Sequence, residues 1–375
     1  MSMRKLFLIA ASALLLFSCE KKTDYTVYNG QYTVDSGTVI TVNGHEVSLS
    51  DYESAMIAIN VISDNECEIT LSGFINGQPE VKIPAILTTD DNTKSAAGAA
   101  FSGETSIDDR TVSIEGLTGE SSIAAISINE NITVPGIPGK WTLSNVTLAF
   151  SHPDLETIDL SGLIPGMSGP EIRTADIVAA LNEMINSIIS SDESLQESYV
   201  ELTADGYLRT GSTNPDVSES EINDIIAYYI RPENKILNLY MPKSVTTILF
   251  SAISTTYGDL VAALQLKEFF DNPQSITVPL IYETGDGKLT LTADQSIVSP
   301  YIPMLTGAID ILKAYISSMD AETVKHIASI LSPEFAGMID ETNYTIMTEA
   351  LKELIDAFIS TEAAYSVSFG LTAVE

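Results

Sequence analysis

The chain has 375 residues, 51 acidic and 18 basic, for a formal charge of −33, and 45% of its residues are hydrophobic. Such acidity repels nucleic acid and anionic headgroups, so neither has an electrostatic footprint here, while length and apolar content suffice for two domains with packed cores. Two cysteines and three histidines leave little material for a disulfide or metal framework.

Arg4 and Lys5 precede an apolar run from Leu6 to Phe17 that is broken by Ser12. A basic start and a short apolar centre mark residues 1–18 as a secretory signal peptide, and a run of about a dozen is too short for the roughly 20 residues a membrane helix needs. Leu16-Phe17-Ser18-Cys19 resembles a bacterial lipobox. The resemblance implies that Cys19 is lipidated, that residues 19–24 form a short tether, and that the chain sits in the cell envelope on the outer membrane. Acyl chains contribute about 0.8 kcal/mol per buried CH₂, enough together to hold a protein on a membrane. Glu20 is followed by Lys21 and Lys22, which leaves the periplasmic and surface faces both open. Cys67 then has no partner for an internal disulfide, and its alternation with Ile69 and Leu71 points it into a core.

Residues 25–160 read as a β-rich domain. Period-two alternation rich in Val, Ile and Thr runs from Tyr25 to Phe150, with strands at "SAMIAINVIS", "ECEITLSGF", "VKIPAIL", "TVSIEGL", "IAAISI" and "KWTLSNVTLAF". Asn43-Gly44 inside "TVITVNGHEVSL" is a strong hairpin signal, because both turn residues need positive φ. Sequential short strands with tight turns predict an antiparallel meander closed as a barrel or folded as a sandwich.

Gly and Pro concentrate in "LSGLIPGMSGP", and a helical rhythm follows, which places the domain boundary there and gives an α+β domain over residues 161–375. Ile177, Leu181, Met184, Ile185 and Ile188 recur at helical spacing after Thr174. Strands follow at "SYVELTADGYLRT", "DIIAYYI" and "KILNLYM". A helix then carries Ile248, Leu249, Ala252 and Ile253, and a hairpin in "SITVPLIYETGDGKLTLTAD" turns at Gly285-Asp286-Gly287. Two or three helices occupy roughly 301–360, and "AYSVSFGLTAV" closes the chain as a strand. The predicted class is α+β, an antiparallel meander followed by an antiparallel sheet covered by amphipathic helices.

The search for chemistry yields no catalytic residue, no metal ligand set and no cofactor motif. His45 reads as an exposed strand residue and His326 as a helical surface residue four positions after Glu322. His152 has Asp154 and Glu156 near it in a loop, short of the three or four ligands a firm metal site wants. The acidic pairs Asp90-Asp91 and Asp108-Asp109 fall in turns, where solvation accounts for them. Trp141, Tyr228, Tyr229 and Tyr240 lie on strands, either as core or as a face that stacks on sugar rings or lines a pocket.

Taken together, the lipobox, the Thr/Val-rich meander, the segment "VELTADGYLRT…IIAYYIRPENKILNLYMP" and the helix-rich C-terminal region resemble uncharacterised lipoproteins of Bacteroides-type bacteria. The N-terminal part is similar to calycin-like β-domains. The resemblance implies location and architecture and leaves activity open. The pairing of the meander with several strongly apolar helices points to a non-enzymatic, membrane-tethered protein that binds a hydrophobic or lipid-like ligand. A glycan- or protein-binding accessory lipoprotein and a polysaccharide hydrolase with unlocated carboxylates stand as alternatives.

Overall fold

The computed structural model describes residues 24–34, 37–47, 51–52, 54–89, 98–119, 121–153, 155–159, 171–214, 224, 226–263, 271–299, 302–331, 336–337, 339–360 and 362–374. Cys19, its tether up to Thr23, and the Gly/Pro-rich segment 160–170 lie outside the described residues. The chain divides into two compact units, Met1–Ser106 with Val112–Asn129, and Ile107–Thr111 with Glu130–Glu375.

The first unit is built on a nine-stranded sheet. Its strands are β1 (Gly30–Thr33), β2 (Val39–Val42), β3 (His45–Glu46), β4 (Met56–Ser63), β5 (Glu66–Ser72), β6 (Glu80–Thr88), β7 (Ala99–Ile107), β8 (Arg110–Thr118) and β9 (Ile123–Ile132). The spatial order β1-β4-β5-β6-β7-β8-β9-β2-β3 contains the expected meander from β4 to β9. β2 runs parallel to β9, with Val39 beside Ala125. The β2–β3 hairpin turns through Asn43 (φ 51°) and Gly44 (φ 82°), as the Asn-Gly signal requires.

Strand β6 shows how the sequence makes this sheet. Val81, Ile83, Ala85 and Leu87 are buried, while every residue between them faces out. Each large apolar side chain so buried stabilises the fold by about 1.5–3 kcal/mol. At Gly103 the neighbouring strand comes so near that an added Cβ would lie 2.4 Å from the Pro84 carbonyl oxygen, so glycine is required there. Cys67 is buried on β5 as expected, its Sγ 3.5 Å from the Ala85 carbonyl oxygen.

The second unit contains a closed antiparallel barrel of β10 (Gly139–Ser151), β13 (Ser198–Leu202), β14 (Tyr207–Ser212), β15 (Ile226–Arg231), β16 (Ile236–Met241), β17 (Ile276–Gly285), β18 (Lys288–Asp294) and β19 (Ala364–Ala373). β11 (Thr157–Asp159) and β12 (Glu171–Arg173) form a separate antiparallel pair. The β17–β18 hairpin turns through Asp286 and Gly287, both at positive φ. Leu237, Leu280, Leu289 and Leu371 pack inside the barrel with Trp141 and Tyr228.

The α+β class read from the sequence holds, with closure in a different place. The closed barrel is formed by strands expected to make a helix-covered sheet, whereas the sheet of the first unit has the strand order β1 to β3 given above. A division at 160/161 would also part β10 from its partners. β10 pairs with β13 and, along Trp141–Ser151, with β19, whose residues lie more than 200 positions later. Alternation reveals a strand but not the sheet it joins.

The helices are α1 (Thr174–Ser191), α2 (Glu193–Glu197), α3 (Lys243–Ala263), α4 (Gln295–Val298), α5 (Ile302–Ser317), α6 (Ala321–Leu331) and α7 (Tyr344–Phe358). Helix α7 packs against α5 and α6, and Val324, Ala336, Ile339 and Met347 make a small core there. The apolar faces read on α1 and α3 are only partly used. Met184 and Ile188 remain 40% and 53% exposed on α1, and on α3 Ile248 is 73% exposed while Thr246 and Phe250 turn inward. Among the described residues no helix is long and apolar enough to cross a membrane, which says nothing of strands.

Candidate functional site

The outward face of the first sheet carries an open groove of about 420 Å³ that crosses β6, β7, β8, β9 and β2. It follows from strand alternation. Phe101 and Ile114 are turned into the core, so Ala100, Ser102 and Glu115 are left on the other face. Small side chains at Ala100 and Ala125 make room, and Thr41, Thr88, Ser102 and Ser127 supply hydroxyls. Among the described residues, Glu115 is the one charged residue of the lining. Such a surface can exchange hydrogen bonds with hydroxyl- or amide-bearing groups and disfavours anions. Its volume is within the range of small-ligand sites.

The four aromatic residues singled out by sequence divide between the two faces of the barrel wall. Trp141 is inside, where its Nε1 donates to the Ile137 carbonyl at 3.0 Å. Tyr228 is inside as well, and its hydroxyl donates to the Thr203 carbonyl at 2.7 Å. Burial pushes the Tyr228 phenol well above its ordinary value. Tyr229 and Tyr240 take the opposite face, because they alternate with the inward residues of β15 and β16. The guanidinium carbons of Arg110 and Arg231 stand 6.0 and 5.9 Å from the Tyr229 ring centre. Tyr240 is half-buried opposite Ala227, and buried Asn238 lies opposite Tyr229. The structure therefore groups Tyr229 with Tyr240 and Trp141 with Tyr228, and does not bring all four together.

One charged cluster was not legible in advance. Asp109, Arg110 and Glu130 are 1%, 2% and 8% exposed, and all belong to the second unit. Arg110 donates through Nε (2.9 Å) and Nη2 (2.6 Å) to the two oxygens of Asp109, and through Nη1 to Glu130. Asp109 Oδ2 also accepts the Ile230 amide at 2.8 Å, and its carbonyl accepts the Thr133 amide at 2.7 Å. The reason lies in the barrel wall. Among the described residues β14 pairs with β15 at Tyr207 and Leu208, so the Ile230 amide lies beyond the reach of β14 and is taken up by Asp109 instead. Two carboxylates share one guanidinium. Burial raises the Glu130 carboxyl, and the charge of Arg110 pulls it back only in part.

The sequence reading assigned Asp109 to a solvated turn, and burial overturns that reading. The available signal was on β9, where Glu130 occupies the same face as Ile126, Ile128 and Ile132. A charge on an apolar stripe implies a buried counter-charge. Because these groups are sealed and bonded to one another, they are suited to holding the end of the barrel and not to meeting a substrate.

His45 is exposed on β3, and His326 is exposed on α6. His152 Nε2 lies 3.0 Å from Ser360 Oγ, while Asp154 falls outside the described residues. No group of metal-ligating side chains occurs among the described residues. Burial lifts the Cys67 thiol to about 11, which makes it a poor nucleophile. No family model, curated protein or solved structure matches the chain.

Proposed function

We propose that this chain is a lipid-anchored accessory protein of the bacterial envelope, held at Cys19 on the outer membrane, that binds a glycan or protein partner through an open surface without catalysing a reaction. The observation that carries the reading is the contrast between the groove and the barrel. The groove offers about 420 Å³ lined by the apolar Val39, Ala100 and Ala125 together with four hydroxyls and one carboxylate, whereas Trp141, Tyr228, Leu237 and Leu289 occupy the barrel interior. The calycin-like resemblance falls on residues 25–160; an eight-stranded antiparallel barrel consistent with such architecture is formed instead by β10 and β13–β19. Its filled interior argues against a ligand carried inside.

The test is a glycan array with a parallel pull-down from envelope extract, run on the intact chain and on Ala100→Trp, which fills the groove. A partner retained by the first and lost by the second supports the reading. No partner on either platform, or unchanged binding by Ala100→Trp, sinks it.

A hydrophobic or lipid-like ligand is the second reading, and exposed apolar side chains favour it. Ile248 and Leu249 on α3 and Leu312 and Tyr315 on α5 all face solvent. Native mass spectrometry after gentle purification checks this, since a retained lipid is expected and a bare chain counts against it.

A further inference from the structure

Among the described residues, strands pair with only part of the outer edge of β10. On one side β10 pairs with β19 from Trp141 to Ser151, but on the other it pairs with β13 only at Gly139, Lys140 and Trp141. Beyond that point two asparagines of α1 take the place of a strand. The Val146 amide donates to Asn186 Oδ1 at 2.8 Å, and Asn186 Nδ2 donates to the Val146 carbonyl at 2.8 Å. The Leu148 amide donates to Asn182 Oδ1 at 2.6 Å, and Asn182 Nδ2 donates to the Leu148 carbonyl at 2.9 Å. Each side-chain amide thus reproduces one residue of strand pairing.

The spacing makes this possible. Four residues of helix rise about 6 Å and two residues of strand about 6.8 Å, so asparagines at i and i+4 meet strand residues at i and i+2. Asparagine is a poor helix former, and two on the inward face of α1 are accounted for by this edge. The rest of the inward face is only half-buried, at Ile177, Leu181 and Ile185. Thr174 near its start and Ile189 near its end are its buried residues among those described, and the apolar Met184 and Ile188 point to solvent.

The covered strand is also unusual in charge. From Trp141 to Ser151 there is no ionisable side chain, in a chain whose net charge is −33. Exposed strand edges are ordinarily protected from other chains by charges, prolines or bulges. Here a bulge lies at Leu143/Asn145, and past it the protection is α1.

We propose that α1 is a latch over the β10 edge, and that with the latch released the edge from Val146 to Leu148 pairs with the same edge of a second copy. Two such edges are self-complementary about a two-fold axis, as closed dimers require. The absence of charge lets two acidic chains meet at this strand and disfavours it elsewhere. Antiparallel pairing of Val146 with Leu148 of the second copy sets Thr147 opposite Thr147, in the closer, non-hydrogen-bonded type of pair with Cα atoms about 4.5 Å apart. Thr147 is exposed, so its position can be probed.

The experiment uses the full chain carrying Cys19→Ser and Thr147→Cys, so that the added thiol competes only with buried Cys67. With α1 intact, mild oxidation should leave a monomer. With Asn182→Ala and Asn186→Ala added, the disulfide-linked dimer should form at least about tenfold faster, and the Val146 and Leu148 amides should exchange with solvent faster than those facing β19. If the double substitution does not fold, Asn186→Ala alone carries the test with a smaller acceleration. A folded variant that stays monomeric, or that associates without a link at position 147, overturns the proposal.

Discussion

Strand β6 of the first unit buries one side chain in two, whereas β15 of the barrel buries Tyr228, Tyr229 and Ile230 in succession. The first pattern belongs to a sheet with one covered face, the second to a wall covered on both. The difference governs what each can offer a partner. An uncovered face leaves room for the groove, while the covered wall uses its polar groups internally, as the Tyr228 hydroxyl and Asp109 do.

The sharpest way to break this comparison is to remove a positive charge from each unit. Arg110→Met leaves Asp109 and Glu130 buried without their counter-charge and should cost about 3–5 kcal/mol in chemical denaturation. Lys82→Met removes an exposed pair with Glu68 at 3.3 Å and should cost about 0–1 kcal/mol. Equal losses would mean that the Arg110 cluster is better hydrated than its burial implies.

Apolar truncation repeats the contrast at a somewhat lower magnitude. Leu289→Ala in the barrel interior should cost about 2–5 kcal/mol, through lost burial and the cavity left behind. Ile86→Ala, on the outward face of β6, should change stability by about 0.5 kcal/mol or less. Thermal or denaturant unfolding with two probes checks both.

These strands also show where sequence reasoning reached and where it stopped. β6 was readable because Val81, Ile83 and Leu87 repeat at the period of the pleat, and the hairpins at Asn43-Gly44 and Asp286-Gly287 were readable because positive φ selects those residues. Which sheet β10 enters was not, since its partner β19 is distant and local alternation carries no partner information. The apolar stripe on α1 was only partly informative: Ile177, Leu181 and Ile185 are half-buried, but Asn182 and Asn186 dock the helix by hydrogen bonds while Met184 and Ile188 face solvent. Of the candidate site, the aromatic strands were found, but the groove depends on which faces of five strands remain uncovered. No single segment encodes that.

Acidity separates the units next. Burial raises the Glu130 carboxyl above its ordinary value of 4.5, so the folded chain keeps this proton at a pH where the unfolded chain has lost it. Stability should therefore fall as pH rises from the ordinary carboxylate value through the folded one, at up to about 1.4 kcal/mol per pH unit for one proton. Glu130→Gln should flatten that contribution while leaving the pH dependence from surface acids in place. Denaturation midpoints across mildly acidic pH provide the measurement, and parallel curves for the two proteins would remove Glu130 as the cause.

The smallest expected effect compares two polar groups of the barrel wall. Tyr228 is satisfied, and Tyr228→Phe leaves the Thr203 carbonyl without that donor, at a cost of about 1–2 kcal/mol. Asn238 is also buried, yet its Nδ2 has no hydrogen-bond partner among the described residues. Replacing it with leucine keeps similar bulk and removes a desolvated donor, so Asn238→Leu should be neutral or stabilise by about 1 kcal/mol. The two substitutions lie on opposite faces of neighbouring strands, and opposite signs of their effects would separate burial that is paired from burial that is not. A loss on Asn238→Leu comparable to that of Tyr228→Phe would place a bound water on the Asn238 amide, making the outer face of the wall as fully paired as the inner one.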